Sequence, residues 1–188
     1  HKLLRHYAQS CYSMGLYYAS CDSTKECEDL YHQAIKSSEK CEDWHTCYLA
    51  YTQLSIVTNW SNPQYATQQA KRALDTYYKI NDDVNNEVLI LGHIAGTFLP
   101  ADEPDSALAY YMKGLELAKK NHLTKSENVM YMGIASTYCY MEEYEKALDY
   151  AKMGITTAEG KVLIPSQQNL AKCYYNCDSL DKAQSVLK

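Results

Sequence analysis

The sequence predicts an all-α fold, an array of about five helix hairpins, and three observations predict it. Glycine and proline are scarce, 7 and 4 among 188 residues, which argues against a chain rich in tight turns. Apolar residues recur at spacings of three and four, the signature of amphipathic helices. The whole two-helix pattern returns at a period near 40 residues, and a fixed period of that size marks a repeat array.

In the first unit, residues 1–41, Cys11, Met14, Gly15 and Tyr18 form one face and Cys27, Leu30, Tyr31 and Ala34 a second, with Asp22-Ser23 placed to cap the second helix. The second unit, residues 42–83, is the least regular. Trp44, Cys47, Tyr48, Tyr51 and Leu54 share a face; Asn59-Trp60-Ser61-Asn62-Pro63 make a longer turn; Ala66, Ala70, Ala73, Leu74 and Tyr77 follow on a helix of small residues.

The third unit, residues 84–123, sets Leu91, Ile94, Ala95 and Phe98 before a loop. Pro104 then stands at a helix start, followed by Ala107, Leu108, Tyr111, Gly114 and Leu115. The fourth, residues 124–160, has Tyr131, Ile134, Ala135 and Tyr138, a turn at Glu142-Glu143, then Tyr144, Ala147, Leu148, Ala151, Gly154 and Ile155. The fifth, residues 161–188, reads as incomplete: Leu170, Ala171 and Tyr174, a turn at Asn176-Cys177-Asp178, then Leu180, Ala183 and Leu187. One array over residues 1–188 is expected.

Equivalent small residues of the second helices, Cys27, Ala66, Ala107, Ala147 and Ala183, lie 39, 41, 40 and 36 residues apart. Helices that cross at about 8–10 Å leave little room for side chain at the contact, so these positions are expected in the hairpin core.

These residues resemble the tetratricopeptide repeat, whose pattern of aromatic, Leu-Gly, Tyr, Ala, aromatic and Pro runs over about 34 residues. The segment Tyr131–Ile155 carries it best, and the resemblance extends over essentially the whole chain. The period is longer than the family norm, Ala95 and Ala135 replace the usual Gly, and the closing Pro is absent. The resemblance implies a right-handed α-α superhelix whose concave groove is lined by the first helix of each pair. Carried over position by position, the groove residues are Tyr12, Leu16, Met132, Ser136, Tyr140, Gln168, Lys172 and Tyr175. Tyr and Met suit such a surface, combining large adaptable apolar area with a polar handle or a thioether. Adjacent pairs such as Tyr110-Tyr111 and Tyr174-Tyr175 put one ring in the core and the other elsewhere.

Two phrases, Glu103-Pro104-Asp105-Ser106-Ala107-Leu108 and Cys177-Asp178-Ser179-Leu180-Asp181-Lys182-Ala183, look like the hairpins of long bacterial tetratricopeptide proteins. That resemblance implies the repeat segment of an envelope-associated regulator or lipoprotein, in the periplasm or cell envelope, with the cytoplasm as the alternative. The start, His1-Lys2-Leu3-Leu4-Arg5, lacks both a Met and a signal-peptide core, so the chain is expected to be a piece of a larger protein.

Composition excludes several functions. A net charge of −5, with no run of five basic residues, disfavours direct nucleic-acid binding. No stretch approaches the roughly 20 apolar residues of a transmembrane helix, so no membrane insertion is expected within this segment. Cys173 and Cys177 are one helical turn apart, and Cys41, His45 and Cys47 sit close in sequence, but no Cys-x-x-Cys pair completes a metal site. Cys11, Cys27, Cys47, Cys139 and Cys173 instead read as small apolar core residues. Scattered histidines, no Gly-x-Ser-x-Gly elbow and no glycine-rich phosphate loop point away from an enzyme, a metal or a cofactor. Carboxylate pairs at turns read as solvated charge near helix starts. The expected function is recognition of a protein or peptide ligand, with a sensory role in a larger protein as its narrower form. The alternatives are a self-associating homo-oligomeric array and a cytoplasmic adaptor.

Overall fold

A computed structural model describes residues 1–21, 23–80, 83–157, 163–177 and 179–186. Every element among them is an α-helix, and the chain divides into two compact units, His1–Asp83 and Val84–Lys188. No helix among the described residues is long and apolar enough to cross a membrane.

The first unit holds α1 (Lys2–Ser20), α2 (Thr24–Lys40), α3 (Trp44–Thr58) and α4 (Pro63–Tyr77). The second holds α5 (Val84–Phe98), α6 (Pro104–Lys120), α7 (Thr124–Tyr140), α8 (Tyr144–Thr157), α9 (Leu163–Asn176) and α10 (Leu180–Val186). Within each unit a helix packs against its neighbours in sequence, and the first helices of consecutive hairpins also touch, α1 with α3, α5 with α7, and α7 with α9.

Helix ends follow local chemistry. Asn62 caps α4 by accepting the Tyr65 N–H at 3.2 Å, and Pro63 follows where no backbone donor is needed. Asp43 caps α3, accepting from both the backbone N–H and the hydroxyl of Thr46. Ser23 stands at the N-cap of α2 but its side chain makes no cap hydrogen bond, while Asp22 lies outside the described residues.

The periodic small residues Cys27, Ala66, Ala107, Ala147 and Ala183 are all buried, at the point where the second helix of each hairpin meets the first. Around them the core is large and apolar: Tyr31, Leu54 and Tyr77 in the first unit, Leu91, Ile94, Met130 and Ile134 in the second. Two positions expected on buried faces are exposed, and several others are half buried. Met14 and Leu180 are exposed, because that side of α1 meets no helix among the described residues and α10 packs only on α9. Cys139 is among the half-buried ones, and its thiol meets that of Cys173 across α7 and α9. Leu187 lies outside the described residues.

Candidate binding hollow

In the second unit a hollow of about 360 Å³ opens over the first helices of two consecutive hairpins. Leu89, Gly92 and His93 of α5 form one wall, Val129, Met132, Gly133 and Ser136 of α7 the other, and Tyr111 of α6 lies between them. Its size is at the lower end for pockets that take a small ligand, and suits one or two large side chains.

The hollow exists because Gly133 lets a tyrosine from the back of the hairpin reach the front. A Cβ on Gly133 would overlap the Tyr111 ring, whereas one on Gly96 would meet the Tyr111 hydroxyl oxygen at an ordinary contact distance of 3.6 Å. The ring thus threads between α5 and α7 and forms the floor of the hollow. Gly15 and Tyr31 repeat the device in the first unit, where a Cβ on Gly15 would sit 2.5 Å from the Tyr31 ring.

Among the described residues the lining is apolar except for the His93 imidazole, the Tyr111 phenol and the Ser136 hydroxyl. Burial raises the pKa of Tyr111 and lowers that of His93, so both stay neutral near pH 7. The His93 residue as a whole is exposed, with its side chain in the wall of the hollow. Among the described residues no carboxylate or lysine lines the hollow. Ser136 Oγ accepts a hydrogen bond at 2.9 Å from Asn169 Nδ2, which leaves it fixed to a neighbouring helix rather than paired with a base. These walls can desolvate an apolar group and offer it two or three hydrogen-bonding atoms. Among the described residues no group of three or more His, Cys, Asp or Glu could hold a metal ion.

Buried polar bonds fix the orientation of α7. Asn128 Nδ2 donates to the Gly154 carbonyl at 2.6 Å and to Ser166 Oγ at 3.0 Å, so one amide ties α7 to α8 and α9. Sequence reasoning passed over Asn128 because it is a polar residue on a face marked only by apolar ones.

Of the eight residues carried over from the repeat pattern, Met132 and Ser136 line the hollow. The others do not. Tyr140 is exposed at the end of α7 and donates to Asp102 Oδ1 at 2.8 Å. Gln168, Lys172 and Tyr175 are exposed along α9. In the first unit Tyr12 packs 6.2 Å from the Tyr31 ring, centroid to centroid, and Leu16 is exposed. Leu89, Gly92, His93, Tyr111, Val129 and Gly133 were not anticipated. Applying to α5 the offset that selects Met132 and Ser136 would have pointed to Gly92 and Gly96, but only the folded chain shows Tyr111 between the walls.

No protein-family model matches the sequence, and no curated protein matches it. Solved structures do. BtubC (BKLC) from P. vanneervenii superposes with a TM-score of 0.78 at 16% identity, over 98% of this chain and 78% of its own. A signal transduction ATPase with numerous domains and a tetratricopeptide repeat sensor, from Pyrococcus horikoshii, gives 0.80 at 20% identity, over 97% of this chain and 29% of its own. A Rap protein complexed with competence and sporulation factor gives 0.77 at 19% identity, over 94% of this chain and 50% of its own. The chain therefore spans under a third of the second protein and half of the third. At these identities the likeness speaks for the fold: an all-helical array of hairpins of the tetratricopeptide-repeat type.

Proposed function

We propose that this chain is a non-enzymatic binding module whose second unit takes a large apolar side chain of a protein or peptide ligand into the hollow between α5, α6 and α7. The observation that carries this reading is the hollow itself. Its apolar walls belong to the first helices of consecutive hairpins, and its few polar atoms stand ready to orient what enters. An anchor side chain desolvated in such a cup supplies most of the affinity of a short segment, while exposed neighbours such as Gln168, Lys172 and Tyr175 on α9 give contacts of lesser weight. The uncharged lining, without a paired nucleophile and base, favours recognition over catalysis.

A narrower reading, that the module is the sensory segment of a larger protein, is supported by two of the solved structures. One is described as carrying a tetratricopeptide repeat sensor, the other was solved with competence and sporulation factor bound. Self-association of the array is the competing reading. Sedimentation across a hundredfold range of protein concentration separates them, since a monomer throughout removes self-association.

The direct test is panning of a random peptide library on the immobilised protein, followed by fluorescence anisotropy with the enriched peptides. Val129→Trp fills the hollow without removing a hydrogen bond, and is expected to weaken those peptides at least about tenfold. Lys152→Trp, on an exposed position of α8, should leave them unchanged. Peptides that bind Val129→Trp as well as the parent, or no enrichment of any peptide, would overturn the proposal.

A further inference from the structure

The thiols of Cys139 on α7 and Cys173 on α9 lie 3.4 Å apart, sulfur to sulfur, although 34 residues separate them in sequence. At that distance the two sulfurs are in contact, and a disulfide requires them to close to about 2 Å with a near-perpendicular Cβ–S–S–Cβ dihedral. Their surroundings differ. Cys173 is buried, with Asn169 Oδ1 3.9 Å from its sulfur, while Cys139 is half buried and open to a small reagent. No other pair of the eight free cysteines shows such a contact among the described residues.

From this geometry we infer that Cys139 and Cys173 form a reversible redox site, oxidised to a disulfide by a low-molecular-weight disulfide and reduced again by a dithiol. The electrostatics fit the roles. The hydrogen bond from Cys173, the nearby charge of Lys172 and a hydrogen bond from Asn176 together bring the Cys139 thiol down to about 7, so an appreciable fraction is thiolate at neutral pH. Cys173 moves the opposite way, because it holds the shared proton against its neighbour's charge in a buried position.

The exchange balances in two steps. Cys139 thiolate attacks one sulfur of the reagent, forming a mixed disulfide and releasing one thiolate. Cys173 then gives its proton to solvent and attacks Cys139 Sγ, breaking the mixed disulfide and releasing the second thiolate. The two cysteines lose two electrons, and the reagent's sulfur–sulfur bond takes them up as two thiols.

The bond would tie together the first helices of the last two hairpins. It would also reach Ser136, because Asn169 approaches Cys173 with Oδ1 and donates to Ser136 Oγ with Nδ2. The inference stands apart from the ligand reading and holds whether or not the hollow binds a peptide.

The experiment is to incubate the reduced, folded protein with oxidised glutathione at neutral pH and map its cysteines by non-reducing digestion and mass spectrometry. The expected product is a Cys139–Cys173 cross-linked peptide, two hydrogens lighter than its parts, which dithiothreitol reverses. In Cys173→Ser the reaction should stop at glutathionylated Cys139, and in Cys139→Ser the cross-link should not form. A bridge from Cys173 to Cys177, glutathione only on the exposed Cys21, or an unmodified Cys139 in Cys173→Ser would each overturn the inference. The map of the unsubstituted protein alone decides the first two outcomes, so it does not depend on the variants folding.

Discussion

His93 shows how one residue joins packing to pH response. Its ring sits in the wall of the hollow beside Leu89, Gly92 and Tyr111, where among the described residues no carboxylate lines the same space, and burial lowers its pKa below the ordinary value of 6.5. Well above pH 6.5 the imidazole is neutral in both the folded and the unfolded chain and has no effect on stability. Below that pH the unfolded chain takes up a proton that the folded chain resists, so stability falls as pH drops from 6.5 through the lowered value. Urea titrations followed by far-ultraviolet circular dichroism at pH 7.5 and 5.5 should show a larger loss for the parent than for His93→Gln; equal losses would mean that the ring titrates freely. At this scale the sequence was a poor guide. His93 read as one of six scattered histidines, and Cys139 and Cys173 read as separate small core residues with nothing to show that their thiols meet. Both relations depend on which hairpin faces lie against each other, and a period of 40 residues does not convey that.

Hairpin turns show the same contrast at the scale of elements. The turn at Glu142-Glu143 was legible as a break between two periodic faces, but nothing in its residues signals its backbone. Glu142 adopts φ 60° and Asp102 59° within hairpins, and Glu42 and His122 adopt 55° in the connections between hairpins. Each follows a helix end of the same design, in which the next residue's N–H reaches back to a carbonyl of the last turn: Asp43 to Ser38, Glu103 to Phe98, Leu123 to Ala118 and Glu143 to Tyr138, all at 2.9 Å. Glycine is the usual occupant of that left-handed position because a Cβ is strained there, and the sequence supplies none. Glu142→Gly is therefore expected to stabilise the protein by about 0.5–1 kcal/mol, raising Tm by roughly 1–4 °C in a thermal melt. Asp102→Gly should gain less, because it also removes the acceptor of the Tyr140 hydroxyl. The helices themselves were legible throughout, since three-and-four spacing and a buried small residue in every second helix are properties of sequence. The left-handed turns were not, because non-glycine residues occupy them.

At the scale of the molecule, each of the two compact units has its own core, and a repeat array is held together by neighbour contacts rather than by one central core. Unfolding need not then be all-or-none, and the positions of the tryptophans allow a check. Both, Trp44 and Trp60, belong to the unit His1–Asp83, and Trp44 carries the signal because Lys79 Nζ lies 3.7 Å from its ring centroid, whereas Trp60 is exposed. Fluorescence excited at about 295 nm thus follows the first unit, while helical circular dichroism follows both. Among the described residues, the three buried polar side-chain atoms without a hydrogen-bond partner, Tyr31 Oη, Asn59 Oδ1 and Gln69 Nε2, are all in the first unit. A buried unsatisfied polar atom costs about 1–3 kcal/mol, whereas the buried Asn128 amide of the second unit is bonded to two helices. The first unit should therefore lose structure first, with a fluorescence midpoint at lower urea than the circular dichroism midpoint. Tyr31→Phe, which removes one of those atoms and keeps the ring on Gly15, should narrow the gap. Coincident midpoints in the parent would show that the two units unfold as one cooperative body despite their separate cores.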